Sequence, residues 1–240
     1  MKKLYRGRLV FRCLVFLCCI LLYFYSPDSF QVLKGFQFFK AFSPLHILWL
    51  LWLFDMKKQL VPSKNVALGS QKHFKSRFVP DESFYKAGKI VKEKEERLHD
   101  YMEEISKPAY AVFLLYALGV AGVAALYLAG VFNREMVFLV TALFYVCDLV
   151  CVVIWCPFRT FMGNRCCTVC RIYNWDHLMM FAPFLIIPSF YTTSLLLLSI
   201  LVFLFWETQV RIHPERFYEG SNKALRCIEC TDRLCKKPRN

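Results

Sequence analysis

From Ala109 to Phe132 the chain runs for 24 residues without a charged side chain. About 20 such residues are enough to cross the hydrocarbon core of a bilayer as a helix, which also satisfies every backbone N–H and C=O internally. Other stretches approach this pattern: Leu9–Tyr25, Met136–Cys156 and the region from His177 to Trp206. With 57% of its 240 residues hydrophobic, the chain carries more apolar mass than a soluble domain sustains. The fold class expected is an all-α membrane protein of about six transmembrane helices.

The expected spans are Leu9–Tyr25, Phe36–Phe54, Ala109–Phe132, Met136–Cys156, Tyr173–Phe190 and Thr193–Val210. Lys40 and Pro44 interrupt the second, and Asp148 the fourth. Pro188, Ser189, Thr192, Thr193 and Ser194 mark a turn between the last two. The N-terminal MKKLYRGR followed by an apolar run resembles a signal peptide, but no small-residue cleavage site follows it, so an uncleaved signal anchor is expected. The chain then divides into two spans (1–54), a basic loop (55–107), spans 3 and 4 (108–157), a Cys-rich loop (158–172), a hairpin of spans (173–210) and a basic tail (211–240).

The distribution of positive charge orients this layout. Cytoplasmic segments of membrane proteins are rich in Lys and Arg. With six spans and the N-terminus inside, all of the 31 Lys and Arg except Lys34, Lys40 and Arg134 fall on the inner side. Merging the last two spans would put the basic tail outside. The localisation expected is therefore the cell membrane, with both termini cytoplasmic. The net charge of +13 then reads as contact with anionic lipid, and no base-reading motif accompanies it to suggest nucleic acid.

Within the basic loop, residues 82–107 read as a helix. Phe84, Val91, Leu98 and Ile105 recur every seven residues, with Ala87 and Tyr101 beside them. Glu93–Arg97 and Glu103–Lys107 add i,i+4 pairs, and Pro108 separates this helix from span 3. The seam fits either a short coiled coil that dimerises the protein or an amphipathic helix lying on the membrane or on the protein's own inner face. In span 3, Ala117, Ala121, Ala125 and Ala129 form a small-residue row of the kind that lets helices approach closely.

The strongest chemical signal lies in the 12 cysteines. Cys166, Cys167 and Cys170 sit in RCCTVC, and Cys227, Cys230 and Cys235 in RCIECTDRLC. The hairpin between the two clusters brings both to one side of the membrane as a Cys-rich cap. The Cys167–Cys170 and Cys227–Cys230 knuckles match the ligand spacing of a four-cysteine zinc site. The three thiols of the second cluster plus one from the first equally match an iron–sulfur cluster. Disulfides are disfavoured on a cytoplasmic face, and Arg165, Arg171 and Arg226 are expected to favour thiolates. Cys13, Cys18 and Cys19 read as small apolar residues of span 1. Cys147 and Cys151 lie in span 4, with Cys156 at its inner end.

Asp148 is the other candidate, as an ionisable side chain inside a span. Thr141, Tyr145, Asp148 and Trp155 share one helical face that suits a proton or ion path, or the edge of a quinone pocket. Asp148 is equally able to bond a neighbouring helix or to pair with Lys40. His46 and His177 are the imidazoles nearest to a haem-ligand arrangement, but they fall at different depths, and His177 reads as a helix-start residue with Asn174 or Asp176 as its cap. The chain has no phosphate-binding Gly loop, no Gly-x-Ser-x-Gly and no His-Glu-x-x-His. The leading functional expectation is an iron–sulfur electron-transfer component that acts with a quinone or a membrane partner subunit. The alternatives are a non-enzymatic scaffold with structural zinc, in which a second copy of the chain is one available partner, and a small transporter using Asp148.

Overall fold

The apolar runs form uninterrupted helices except where proline breaks the backbone ladder. The structure, a computed structural model, describes residues 2–38, 42–62, 69–86, 89–164 and 169–228. Among the described residues seven α-helices follow in order: α1 (Lys2–Tyr25), α2 (Pro44–Leu60), α3 (Lys92–Leu128), α4 (Arg134–Val153), α5 (Pro157–Phe161), α6 (Asp176–Phe181) and α7 (Phe190–Ile212). Two short antiparallel strands, β1 (Tyr85–Lys86) and β2 (Lys89–Ile90), form a hairpin before α3. The chain is mostly helical, and α1, α3, α4 and α7 are long and apolar enough to cross a membrane.

Caps and turns set the limits of these helices. Asn133 accepts from the Met136 amide at 2.8 Å and starts α4. Ser189 and Thr192 cap α7 reciprocally, at the turn expected between the last two spans. Gly130 adopts φ +73 after α3, a left-handed conformation that glycine takes without strain, so the chain turns within a few residues into α4.

Three expected elements differ. The second span does not begin at Phe36. Gly35 has φ +80, and the helix starts only at Pro44, whose missing N–H is harmless at a first helical position, with Ser43 as its cap. α2 is thereby shifted towards its C-terminus and includes Asp55, Lys57 and Lys58 in its 17 residues. The expected fifth span is not one helix. A 3-10 turn at Arg171–Trp175, α6, and a second 3-10 turn at Ala182–Leu185 replace it, and Pro183, which offers no N–H to α6, falls at the last transition. Conversely, Pro108 does not divide the chain, because α3 continues through it for 37 residues, or about 55 Å at 1.5 Å per residue.

The expected helix over 82–107 begins at Lys92, and its seam is used within the chain. Leu98 is 3% exposed, Tyr101 packs on Tyr218 at 4.6 Å between ring centroids, and Phe84 lies 5.9 Å from Tyr218. The amphipathic helix thus packs its seam on the protein's own face. The i,i+4 pairs Arg97–Glu93 and Lys107–Glu103 form as expected.

The bundle has two distinct ends. At one, Phe190 N donates to Gly35 O at 3.2 Å, His46 meets the Tyr191 hydroxyl at 2.7 Å, and Asn133 reaches Tyr23. At the other, Lys223 N donates to Val79 O at 2.8 Å, His73 stacks on Phe217, and Arg171 pairs with Glu207. Between them lies an aromatic core. Trp52, 1% exposed, stands 5.3 Å from Phe181, 5.7 Å from Phe138 and 5.9 Å from Tyr145. The outer surfaces are apolar: Leu14, Leu17, Leu114, Leu118, Leu197 and Leu201 are all exposed. A soluble protein does not present such continuous apolar faces to water.

Two outcomes follow. Trp52→Ala should cost about 3–5 kcal/mol of stability, as large aromatic truncations in cores do, read as a lowered thermal unfolding midpoint in detergent. At the polar end, Asp81 accepts from the Ser83 amide and from the Arg226 guanidinium, which together hold its carboxyl down at about 2. Its contribution is present above the unfolded carboxylate value of about 4 and lost as pH falls towards 2. The protection of the Lys223 amide, its exchange rate relative to that of an unstructured chain at the same pH, should therefore fall on acidification through that window, and at neutral pH in Asp81→Asn.

Candidate functional site

Asp148 lies near the C-terminal end of α4, and Arg12, in the first half of α1, meets it. The two helices run antiparallel, so the early part of one faces the late part of the other. Arg12 Nη1 donates to Asp148 Oδ2 at 2.6 Å and to the Tyr145 carbonyl at 2.7 Å. Its guanidinium also lies 3.9 Å over the Tyr145 ring, and Nη2 is 3.8 Å from Asp55 Oδ2. Asp55, brought in by the shifted α2, accepts from the Tyr145 hydroxyl at 3.0 Å and from Lys58 Nζ at 2.8 Å. The partner of Asp148 is thus Arg12. Lys40, considered for that place, lies outside the described residues.

A second group completes the cleft. Asp176 Oδ1 accepts from His177 at both its backbone N, 2.7 Å, and its ring Nδ1, 2.8 Å. Gln59 Nε2 reaches Asp176 Oδ2 at 3.4 Å. Neither Asn174 nor Asp176 caps α6 from outside: Asp176 is its first residue, and no side chain caps it. These residues, with Arg8 and Tyr173, surround a cavity of about 170 Å³. Arg8 packs on Tyr5 and has no carboxylate partner among the described residues.

A larger cavity of about 380 Å³ adjoins the first. Its walls are largely apolar and come from α3 (Tyr116, Gly119), α4 (Phe144), α5 (Phe158) and the broken segment (Met179, Met180). Asp148, Val152, Tyr173 and Asp176 border both cavities. Four cysteines also line the larger one: Cys147, Cys151, Cys156 and Cys170. The site therefore joins a charged cleft to an apolar, thiol-lined space.

The sequence-derived site residues separate into two sets. Asp148 and Tyr145 lie where expected, at the interhelical face, and Thr141 is buried on the same face with its hydroxyl on the Val137 carbonyl. Trp155 falls beyond the end of α4 and is exposed. Of the six cap cysteines, Cys166, Cys167, Cys230 and Cys235 lie outside the described residues. Cys170 is half-buried, its Sγ 3.9 Å from Met162 Sδ, and Cys227 is exposed. Among the described residues no group of three or more His, Cys, Asp or Glu is placed to hold a metal ion.

The arginines expected to activate thiols are committed elsewhere. Arg171 is buried against Glu207 at 2.6 Å, and the Trp175 indole donates to the same carboxylate at 2.6 Å. Arg226 pairs with Asp81, and Arg165 lies outside the described residues. His46 and His177 stand at opposite ends of the bundle, which does not suit a shared haem. Comparison with family models, curated proteins and solved structures finds no match.

The Arg12–Asp148 pair gives a direct test. Removing Arg12 leaves Asp148 without its partner, and removing Asp148 leaves Arg12 with only the longer contact to Asp55. Arg12→Ala and Asp148→Asn should each destabilise the protein, and the double variant should lose less than their sum. The double-mutant cycle should return a coupling of about 0.5–3 kcal/mol, measured by thermal unfolding in detergent.

Proposed function

We propose that the chain is an integral membrane protein of six crossings that transfers electrons to a quinone at the junction of its two cavities. Four crossings would be α1, α3, α4 and α7, the fifth α2, and the sixth the broken segment 171–189, with both termini cytoplasmic. The alternation of the two bundle ends along the chain supports this, as does the concentration of Lys and Arg at one of them.

One observation carries the functional reading: the charged cleft and the apolar cavity open onto the same carboxylates, Asp148 and Asp176. A quinone has that division of character, with a ring bearing two carbonyl oxygens that need protons on reduction and an apolar isoprenoid tail. The tail suits the walls around Tyr116, Phe144 and Met179. The ring suits the junction, where Asp148, Tyr173, Asp176 and the neighbouring His177 supply groups able to accept and pass protons.

The electron source in this reading is the cap. Cys166, Cys167, Cys170, Cys227, Cys230 and Cys235 would supply thiolates to an iron–sulfur centre, whose chemistry is one-electron transfer. Cys170 belongs both to the knuckle and to the cavity wall, which favours coupling the two. The same thiolates around zinc would make the cap structural.

Two measurements test the reading. Protein purified without oxygen should contain iron and acid-labile sulfide; zinc alone would turn the cap into a scaffold. A short-chain ubiquinone should bind saturably to the protein in nanodiscs. Gly119→Trp, at a position whose Cβ would meet no atom within 4 Å, should fill the cavity and weaken that binding about tenfold or more. Non-saturable partitioning that Gly119→Trp leaves unchanged would refute the quinone site. Proton flux in liposomes that Asp148→Asn abolishes, without quinone binding, would favour transport.

A further inference from the structure

The cap cysteines are not the thiols that the described residues bring together. Cys151 lies in the last turn of α4. The chain then folds back, with Ile154 N bonded to Val150 O at 2.9 Å and Trp155 N to the same carbonyl at 3.1 Å. This tight reversal places Cys156 at the start of α5, five residues on, beside Cys151. The two side chains are neighbours. Cys156 Sγ accepts from the Arg159 amide at 3.4 Å, a bond that favours negative charge on that sulfur over its partner. Both side chains open onto the 380 Å³ cavity, so an acceptor bound there meets two adjacent thiols at one wall.

We infer that Cys151 and Cys156 are a redox-active dithiol that reduces a quinone bound in the cavity among α3, α4 and α5. The inference rests on the quinone reading above for its acceptor, and it names a different electron donor for the first two-electron step. Each thiol gives up one proton and one electron, and a single S–S bond forms between the two sulfurs. The quinone takes two electrons and two protons, and its two carbonyl oxygens become hydroxyls. No further reactant is needed for this single turnover. Separation by four intervening residues across a turn, with no rigid helix joining the two, allows the sulfurs to approach to bonding distance.

The remaining cavity thiols do not share this arrangement. Cys170 rests against Met162, and Cys147, one turn before Cys151 on α4, is exposed.

The test uses the full chain in nanodiscs, reduced, freed of reductant and kept without oxygen. One equivalent of a short-chain ubiquinone is added, hydroquinone is read by ultraviolet absorbance, and each thiol is mapped by alkylation and mass spectrometry. The expected result is about one hydroquinone per chain, with Cys151 and Cys156 alone lost to alkylation and recovered as a linked peptide pair. Cys151→Ser and Cys156→Ser should each abolish both signals, and Cys13→Ser, exposed on α1, should keep them. Mapping of the unsubstituted protein does not depend on any variant folding. Saturable quinone binding with Cys151 and Cys156 still fully alkylated would overturn the dithiol and leave the quinone site standing. Quinone reduction with loss of cap thiols only would also overturn it. Absence of saturable binding would remove both.

Discussion

Arg12 and Asp148 are the constraint on which the charged end of the bundle depends. An arginine on the first helix and an aspartate on the fourth would each be costly in an apolar surrounding. Together they meet at 2.6 Å, and the same guanidinium also holds the Tyr145 carbonyl and covers the Tyr145 ring. That geometry fixes the register of α1 against α4. It also places Asp55 within reach of both Arg12 and Tyr145, which draws α2 into the same cluster. Three helices are thereby aligned by one cation. The Asp176–His177 pair, reached through Gln59, ties in the broken segment as a fourth element.

The parts of this arrangement that could be read from the sequence are those governed by local pattern. Apolar runs identified α1, α3, α4 and α7, and the Ser/Thr cluster after Pro188 marked the start of α7. Asp148 stood out because an ionisable residue in such a run needs a reason. Its partner was less visible, although the signal was present: Arg12 is the only charge between Leu9 and Tyr25, and antiparallel pairing of adjacent spans puts it level with Asp148. Asp55 was hidden by a displaced helix. Nothing in hydropathy alone shows that Gly35 takes a left-handed conformation and delays α2 to Pro44. The long α3 misled in the opposite sense. Pro108 removes one hydrogen bond from the ladder, and the turns on either side carry the helix past it.

The cysteines show the limit of reading by spacing. Cys-x-x-Cys knuckles attract attention because two ligands three residues apart suit one ion. The Cys151–Cys156 pair has no such recognised spacing. It arises because α4 ends at Val153 and the chain reverses through Ile154 and Trp155 into Pro157, which starts α5 in the way proline starts many helices. A helix end followed by an early helix start is visible in Trp155-Cys156-Pro157, but its consequence, one thiol turned onto another, depends on the turn geometry. The basic residues near the knuckles misled for a similar reason. Arg171 and Arg226 are close to cysteines along the chain and are bound in space to Glu207 and Asp81.

The irregular segment from Arg171 to Leu185 gives the arrangement its internal logic. Backbone that departs from regular helix is tolerated at membrane depth only where it is buried in protein or lines a cavity. Here it does both. Trp175, Phe181 and Phe184 are buried in the core, and Tyr173, Asp176, Met179 and Met180 face the two cavities. The regular helix α1 and the apolar second half of α3 instead turn their side chains outward. A continuous helix in place of this segment would present one face to the bundle at each turn and could not supply both an aromatic plug and a carboxylate junction within fifteen residues. Its breaks, at Asp176 and Pro183, are what bring Asp176 beside Asp148 while Trp175 anchors on Glu207. The departure from helical order is thus confined to the place where the charged cleft and the apolar cavity meet, and it is there that chemistry in this fold has both polar groups and exclusion from water to work with.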